Sequence, residues 1–219
     1  MNTNELHVVL GTGPVGKAIA RELIKMGKTV RMVNRSGKAA DLPTSIEVVK
    51  GDVYNAANVA ELTKGATTVY QCAQPAYHEW AEKFPPLQAA VLEGVAASGA
   101  KLIVMENVYM YGDPNGRPIT ENLPYDAHTK KGKVRAAMSE ALMNAHRSGK
   151  LRVAIGRASD FIGPEYFGSG DLLVHPALAG KTSNALGDLD APHSFTYVPD
   201  IGKALAILGT HDEADGQVW

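Results

Sequence analysis

Short apolar runs alternate with stretches whose apolar residues recur every three to four positions, and the alternation holds from residue 6 to residue 155. Residues 6–10, 29–33, 46–49, 67–72, 101–105 and 151–155 are the apolar runs, each of strand length. Helical stripes lie between them. Val15, Ile19, Leu23 and Met26 form one; Leu87, Ala90, Val91, Gly94 and Val95 form another; Val134, Ala137, Met138, Ala141, Leu142 and Ala145 form a third. Strand–helix alternation of this kind predicts βαβ units, right-handed crossovers and a parallel sheet.

The junction between the first run and the first helical stripe carries Gly11, Gly13 and Gly16 in the pattern GxGxxG. Each glycine has a physical task in a dinucleotide site: Gly11 permits the tight turn, Gly13 lets backbone approach a pyrophosphate, and Gly16 lets the helix pack on the strand. The helix start adds free N–H groups and a positive dipole end. Gly11, Thr12, Gly13, Pro14, Val15 and Gly16 are therefore expected to cradle the cofactor. Gly11 to Lys17 also reads GxxxxGK, the phosphate loop of nucleoside triphosphatases, but that motif needs Ser or Thr next and position 18 is alanine. The expected fold is α/β: a doubly wound Rossmann-type parallel sheet with helices on both faces.

The second run ends in Asn34-Arg35-Ser36. An NAD site would hold the ribose 2′-OH with an acidic residue near here, yet no Asp or Glu lies between Glu22 and Asp41. Arg35 can instead pair a 2′-phosphate bidentately, with Asn34 and Ser36 as neutral donors, so NADP is expected and NAD less so. After the third run, Asp52 and Val53 are expected at the adenine, although Asp52 equally suits an Asx-turn before Asn55. After the fourth, Cys72, Ala73 and Gln74 are expected to pass the cofactor ribose by backbone contact.

Two long connections, 74–86 and 107–131, leave the carboxyl ends of strands, where open α/β sheets bind ligands. Tyr77, His78, Trp80 and Phe84 give the first an aromatic and polar character that suits a small organic ligand. Past residue 156 the pattern loosens. Gly163-Pro164 and 168–170 are turn-rich, 193–198 reads as a short strand, and Asp200 is expected to cap a helix carrying Ile201, Ala204, Leu205 and Leu208. Residues 216–219 read as the start of a further strand, which predicts that the chain is a fragment. The expected division is an NADP-binding domain over 1–160 and a partial substrate-side region over 161–219 that returns to the core.

Composition narrows the picture by exclusion. The 219 residues suffice for a core without staples. A net charge of −1 favours neither nucleic acid nor an anionic membrane. Cys72 is the single cysteine, which excludes an internal disulfide and fits a reducing compartment. No apolar run reaches membrane-spanning length and MNTNE lacks a charged-then-apolar signal, so a cytoplasmic protein is expected. The seven histidines have no metal-ligand spacing and no GxSxG elbow occurs, so neither a metal site nor a hydrolase is expected.

GTGPVG, NRSG, GDV, YGDP at 111–114, RASDFIGP at 157–164 and HSFTYVPDIGKAL at 193–205 together resemble the extended or atypical short-chain dehydrogenase/reductases, and more narrowly their NAD(P)-dependent epimerase/dehydratase group. The resemblance covers nearly the whole chain. It implies a catalytic Ser or Thr with YxxxK, and here this sequence departs. Aligned on the family's landmarks, the serine position is Asn107, the tyrosine position Gly132 and the lysine position Ala136. Substitutes are Asn107 as a neutral donor to a carbonyl, Tyr109 (or Tyr111) as a proton donor near the nicotinamide, and Lys133, one turn before Ala136, reaching a ribose or phosphate.

Two functions are thereby expected. One is an oxidoreductase or epimerase/dehydratase acting on a small carbonyl or sugar-like substrate without the usual Ser-Tyr-Lys set. The other is an NADP(H)-binding sensor without catalysis. Family analogy adds a homodimer through helices 87–98 and 133–147.

Overall fold

The apolar runs become strands of one sheet, and all but the edge strand at 47–50 are covered on both faces. In the computed structural model, which describes residues 5–219 apart from 167, 169 and 186, β1 (Leu6–Leu10), β2 (Thr29–Asn34), β3 (Glu47–Lys50), β4 (Ala66–Gln71), β5 (Lys101–Glu106) and β6 (Val153–Arg157) form one parallel sheet in the order 3-2-1-4-5-6. Successive side chains serve opposite layers. Val8, Leu10, Val69, Leu102, Val104, Val153 and Ile155 pack under α2 (Ala56–Leu62), α3 (Trp80–Ser98) and α4 (Lys130–Arg147), while Val9, Met32, Tyr70, Ile103 and Ala154 pack under α1 (Pro14–Lys25) and α6 (Val198–Thr210). The doubly wound fold is thus the one the pattern predicts.

Several boundaries differ from the sequence reading, each for a physical reason. The connection expected over 74–86 is shorter, because a 3-10 turn at Tyr77–Glu79 leads into α3 at Trp80. Trp80 and Phe84 are buried edge to face, 5.4 Å between centroids, and this packing holds the helix through Pro85 and Pro86 despite their missing N–H groups. Thr129 caps α4 by accepting from the Gly132 N–H at 3.0 Å, so that connection ends two residues early. The buried stripe of α4 is Gly132, Arg135, Met138, Ser139, Leu142 and Ala145, rotated from the apolar stripe by the inclusion of polar residues. β6 starts at Val153 rather than 151.

Past the sheet, β7 (Asp160–Ile162) and β8 (Phe195–Tyr197) pair in parallel. A π-type turn at Gly170–Val174 and the short α5 (His175–Leu178) lie between them; of the turn-rich stretch 168–170, residue 169 is outside the described residues, as are residues 1–4 of the N-terminal reading. Asp200 lies in the first turn of α6 and not at its cap, which falls at Tyr197. α6 lies on α1 with Gly202 against Ala18, where an added Cβ would stand 2.5 Å from the Ala18 Cβ. The chain then returns beside β6. Val218 bridges Ile155 in parallel, and the Arg157 N–H donates to the Trp219 carbonyl at 2.8 Å.

His7 is the second residue of β1, fully buried, with Nδ1 3.0 Å from the Tyr70 hydroxyl. Burial pulls its pKa down to about 4, with the Lys28 charge adding and Glu5 opposing. The unfolded chain titrates near 6.5. Above that pH both states are neutral at His7; between about 6.5 and 4 only the unfolded state binds the proton, so this residue subtracts stability as pH falls, by roughly 3 kcal/mol in all. Urea unfolding across pH 4–7 is therefore expected to show a shallower acid decline in His7→Leu than in the parent chain; parallel declines would refute the assignment.

Candidate dinucleotide and substrate cleft

Between β1 and β4 the strand order reverses, and crossovers leave to opposite faces of the sheet. A crevice at the carboxyl ends of the strands follows from that topology. Here it is a cleft of about 1930 Å³ running from the β1–α1 turn across the ends of β4, β5 and β6.

The three glycines divide their tasks. Gly11 has φ +116°, and a Cβ there would stand 2.9 Å from the Ala73 backbone nitrogen. At Gly16 a Cβ would lie 2.3 Å from the Gly11 carbonyl oxygen, so the helix can approach its strand only without one. Gly13 has nothing within 4 Å of its Cβ position. Its missing side chain therefore leaves open space at the N-terminus of α1, where first-turn N–H groups lack intrahelical partners. Pro14 occupies the first turn without wasting a donor.

Thr12, Pro14, Val15, Asn34, Arg35, Asp52, Val53, Cys72, Ala73 and Gln74 also line the cleft. Asn34 is fully engaged. Its Nδ2 donates to Thr12 Oγ1 and to the Lys38 carbonyl, each at 2.8 Å, and its Oδ1 accepts from the Ser36 and Gly37 N–H groups. Ser36 shapes that turn and is absent from the cleft lining, because its hydroxyl faces Asn34 and the Lys38 carbonyl. Asp52 forms the Asx-turn, accepting from the Tyr54 N–H at 2.9 Å, while Asn55 caps α2. Burial pushes the Cys72 thiol up to about 12, so it stays protonated.

At the far end, Asn107 accepts from the Tyr109 N–H through Oδ1 at 3.3 Å, and both residues line the cleft. The Tyr109 hydroxyl lies 3.4 Å from that of Tyr77. Desolvation, then this contact, holds its pKa well above the usual phenol range. Lys133 is elsewhere: it is exposed and absent from the lining, because the cleft-facing phase of α4 falls two residues on, at Arg135. Lys131 stands over the Tyr77 ring at 3.6 Å. Gly132 is packed so closely that a Cβ would meet the Tyr109 carbonyl at 2.6 Å.

The sequence reading missed a buried charge cluster at this end. Glu106 meets Arg135 at 3.4 Å and Arg157 at 3.2 Å, and all three line the cleft. Arg157 also donates to the Tyr111 and Tyr125 hydroxyls and to Ser139 Oγ. Arg135 lies 4.6 Å above the Phe84 ring, and its Nε has no partner among the described residues. Asp160 and His193 form a second, exposed pair at 3.0 Å in the cleft wall. A charged residue ending each of two hydrophobic strands, Glu106 and Arg157, was the available signal. Among the described residues, no group of three His, Cys, Asp or Glu side chains could hold a metal ion, and no helix is long and apolar enough to cross a membrane.

The model of the NAD dependent epimerase/dehydratase family matches residues 8–219. No curated protein matches the chain. Among solved structures, a UDP-N-acetylglucosamine 4-epimerase from Methanobrevibacter ruminantium M1, in complex with UDP-N-acetylmuramic acid, is 22% identical with a TM-score of 0.82, covering 98% of this chain and 75% of that one. A dTDP-glucose 4,6-dehydratase from Streptomyces venezuelae with NAD and TYD bound is 17% identical, TM-score 0.83, covering 98% and 74%. Another from Bacillus anthracis str. Ames in complex with NAD is 18% identical, TM-score 0.85, with the same coverage. At these identities the likeness is one of fold. The family's description names NAD, where the reading of Arg35 expects NADP.

The glycine assignments separate by experiment. Gly16→Ala is expected to lower the melting temperature, at a cost of about 1–3 kcal/mol for the forced shift. Gly13→Thr keeps a comparable helix cap and is expected to melt with the parent chain while weakening NADH or NADPH binding ten-fold or more. Equal binding by Gly13→Thr, read by fluorescence titration, would show that no ligand approaches there.

Proposed function

Because this chain belongs to the NAD dependent epimerase/dehydratase family, we propose that it is a reductase, or an epimerase/dehydratase using its cofactor transiently, that prefers NADP and acts on a small carbonyl or sugar-like substrate. The observation that carries the reading is the continuity of the cleft: the glycine turn at one end and Asn107 and Tyr109 at the other line the same space. The open Cβ position of Gly13 and the helix start behind it suit a pyrophosphate. Bound dinucleotide would carry the hydride. The chain's own residues would orient and protonate. With Oδ1 held by the Tyr109 N–H, Asn107 has its Nδ2 donors left for a substrate carbonyl. Tyr109 keeps its proton at neutral pH, which suits an acid and not a resident tyrosinate.

The reaction would proceed without the Ser-Tyr-Lys set, since positions 107, 132 and 136 are Asn, Gly and Ala. Lys133, being exposed, is not carried into this reading. We take residues 1–160 as the dinucleotide-binding domain, 161–219 as the substrate side, and a homodimer through α3 and α4 as the assembly. The crowding around Gly132, which leaves no room for a tyrosine, favours the second reading, a non-catalytic NADP(H) sensor.

Fluorescence titration with NADPH and NADH, followed by a screen of carbonyl and sugar-nucleotide substrates for NADPH oxidation, separates the two. Turnover that falls at least ten-fold in Asn107→Ala supports the enzyme; tight binding without turnover on any substrate supports the sensor. Arg35→Ala is expected to weaken NADPH about ten-fold or more and NADH little. Equal affinities, unchanged by that substitution, would remove the NADP preference.

A further inference from the structure

We infer that Lys50 is the second half of a two-cation clamp for the cofactor's 2′-phosphate, closing on it together with Arg35. The inference rests on the dinucleotide reading above and adds a specificity residue to it. Register brings the two cations together: β2 and β3 pair with Asn34 opposite Lys50, so Arg35 leaves its strand one residue beyond that pair. The Gly37 turn then folds back onto β3. Gly37 has φ +68°, and a Cβ there would stand 3.0 Å from the Lys50 backbone nitrogen, so the loop carrying Arg35 lies directly against Lys50.

The result is a side lobe of about 410 Å³ lined by Arg35, Lys50, Gly51, Asp52 and Asn58. It shares Arg35, Gly51 and Asp52 with the main cleft, so a group on the adenosine ribose can enter it from a dinucleotide lying along the glycine turn. Both cations are exposed, and neither side chain has a hydrogen bond or ion pair among the described residues. One carboxylate, Asp52, faces the same lobe. Its Oδ1 accepts from the Tyr54 N–H, and the lobe keeps a surplus of one positive charge.

The alternative occupant is an unphosphorylated ribose diol, which needs an acceptor at the end of β2. Asn34 stands there with Oδ1 taken by Ser36 and Gly37 and Nδ2 taken by Thr12 and Lys38. The lobe thus offers two cations to a phosphate, while the end of β2 offers a diol no free acceptor at Asn34. A fork from Arg35 and a point charge from Lys50 are complementary ways of meeting a phosphate dianion.

The test uses the full chain and compares adenosine 2′,5′-bisphosphate with adenosine 5′-monophosphate by calorimetry, with NADPH and NADH alongside. The 2′-phosphate is expected to bring a ten-fold or larger preference at low salt. Lys50→Met should cut that preference three-fold or more, the double variant with Arg35→Ala should abolish it, and raised ionic strength should shrink it. A preference unchanged in Lys50→Met overturns the clamp, as does adenosine 5′-monophosphate binding as tightly as the bisphosphate. Those results leave the dinucleotide site standing if NADH binds; failure of both NADH and NADPH to bind overturns the site itself.

Discussion

Everything in the cleft depends on a contact that only glycine permits. The Gly16 Cα rests on the Gly11 carbonyl, and Gly11 in turn rests on the backbone leaving β4. This stack fixes three things together: the angle at which α1 leaves β1, the depth of the turn, and the distance from that turn to β4 across the switch in strand order. Any side chain at either position would wedge helix from strand or strand from strand. Interiors this dense do not absorb a methyl group without moving a neighbour. At Gly13, between them, an added Cβ would meet nothing within 4 Å, so the same six-residue loop is packed at its ends and open at its middle.

The opposite end of the cleft is held by charge. Glu106 ends β5, Arg157 ends β6 and Arg135 rises from α4, so one carboxylate ties two adjacent strands to the helix that covers them. Removing a single partner from such a buried group strands the others, which costs about 3–5 kcal/mol in comparable pairs. The cluster takes up the neighbourhood in which the family's tyrosine and lysine would be sought. Tyr111, Tyr125 and Ser139 serve Arg157 there, so their hydroxyls support the wall beside Asn107 and Tyr109.

The sheet was legible because parallel strands covered on both faces write largely apolar runs, interrupted here by residues such as Arg31 and Thr68, and all six runs became strands in the expected fold. The glycine turn was legible because backbone geometry, which sequence reports well, decides it. The start of α3 was hidden by Pro85-Pro86, a pair that ordinarily stops a helix; only the tertiary burial of Trp80 and Phe84 overrules it. The phase of α4 was hidden because its inner face includes Arg135 and Ser139, polar residues that become inward only once Glu106 and Arg157 arrive from distant strands. Lys133 came forward because it lies one turn before Ala136, the family's lysine position, while Arg135, which faces the cleft, is two residues and about 200° from it.

Asn34 shows why cofactor preference here is not a matter of one exchangeable side chain. Its two donors hold Thr12 in the glycine turn and Lys38 beyond Arg35; its acceptor holds Ser36 and Gly37. The phosphate cradle and the cation loop are therefore one hydrogen-bonded unit. An aspartate at that position, which a ribose diol would call for, has no N–H to give to the Lys38 carbonyl and would set two acceptors against each other at 2.8 Å. In the proposed clamp, the amide that leaves no diol acceptor at the end of β2 is also the group that builds the turn carrying Arg35 towards Lys50.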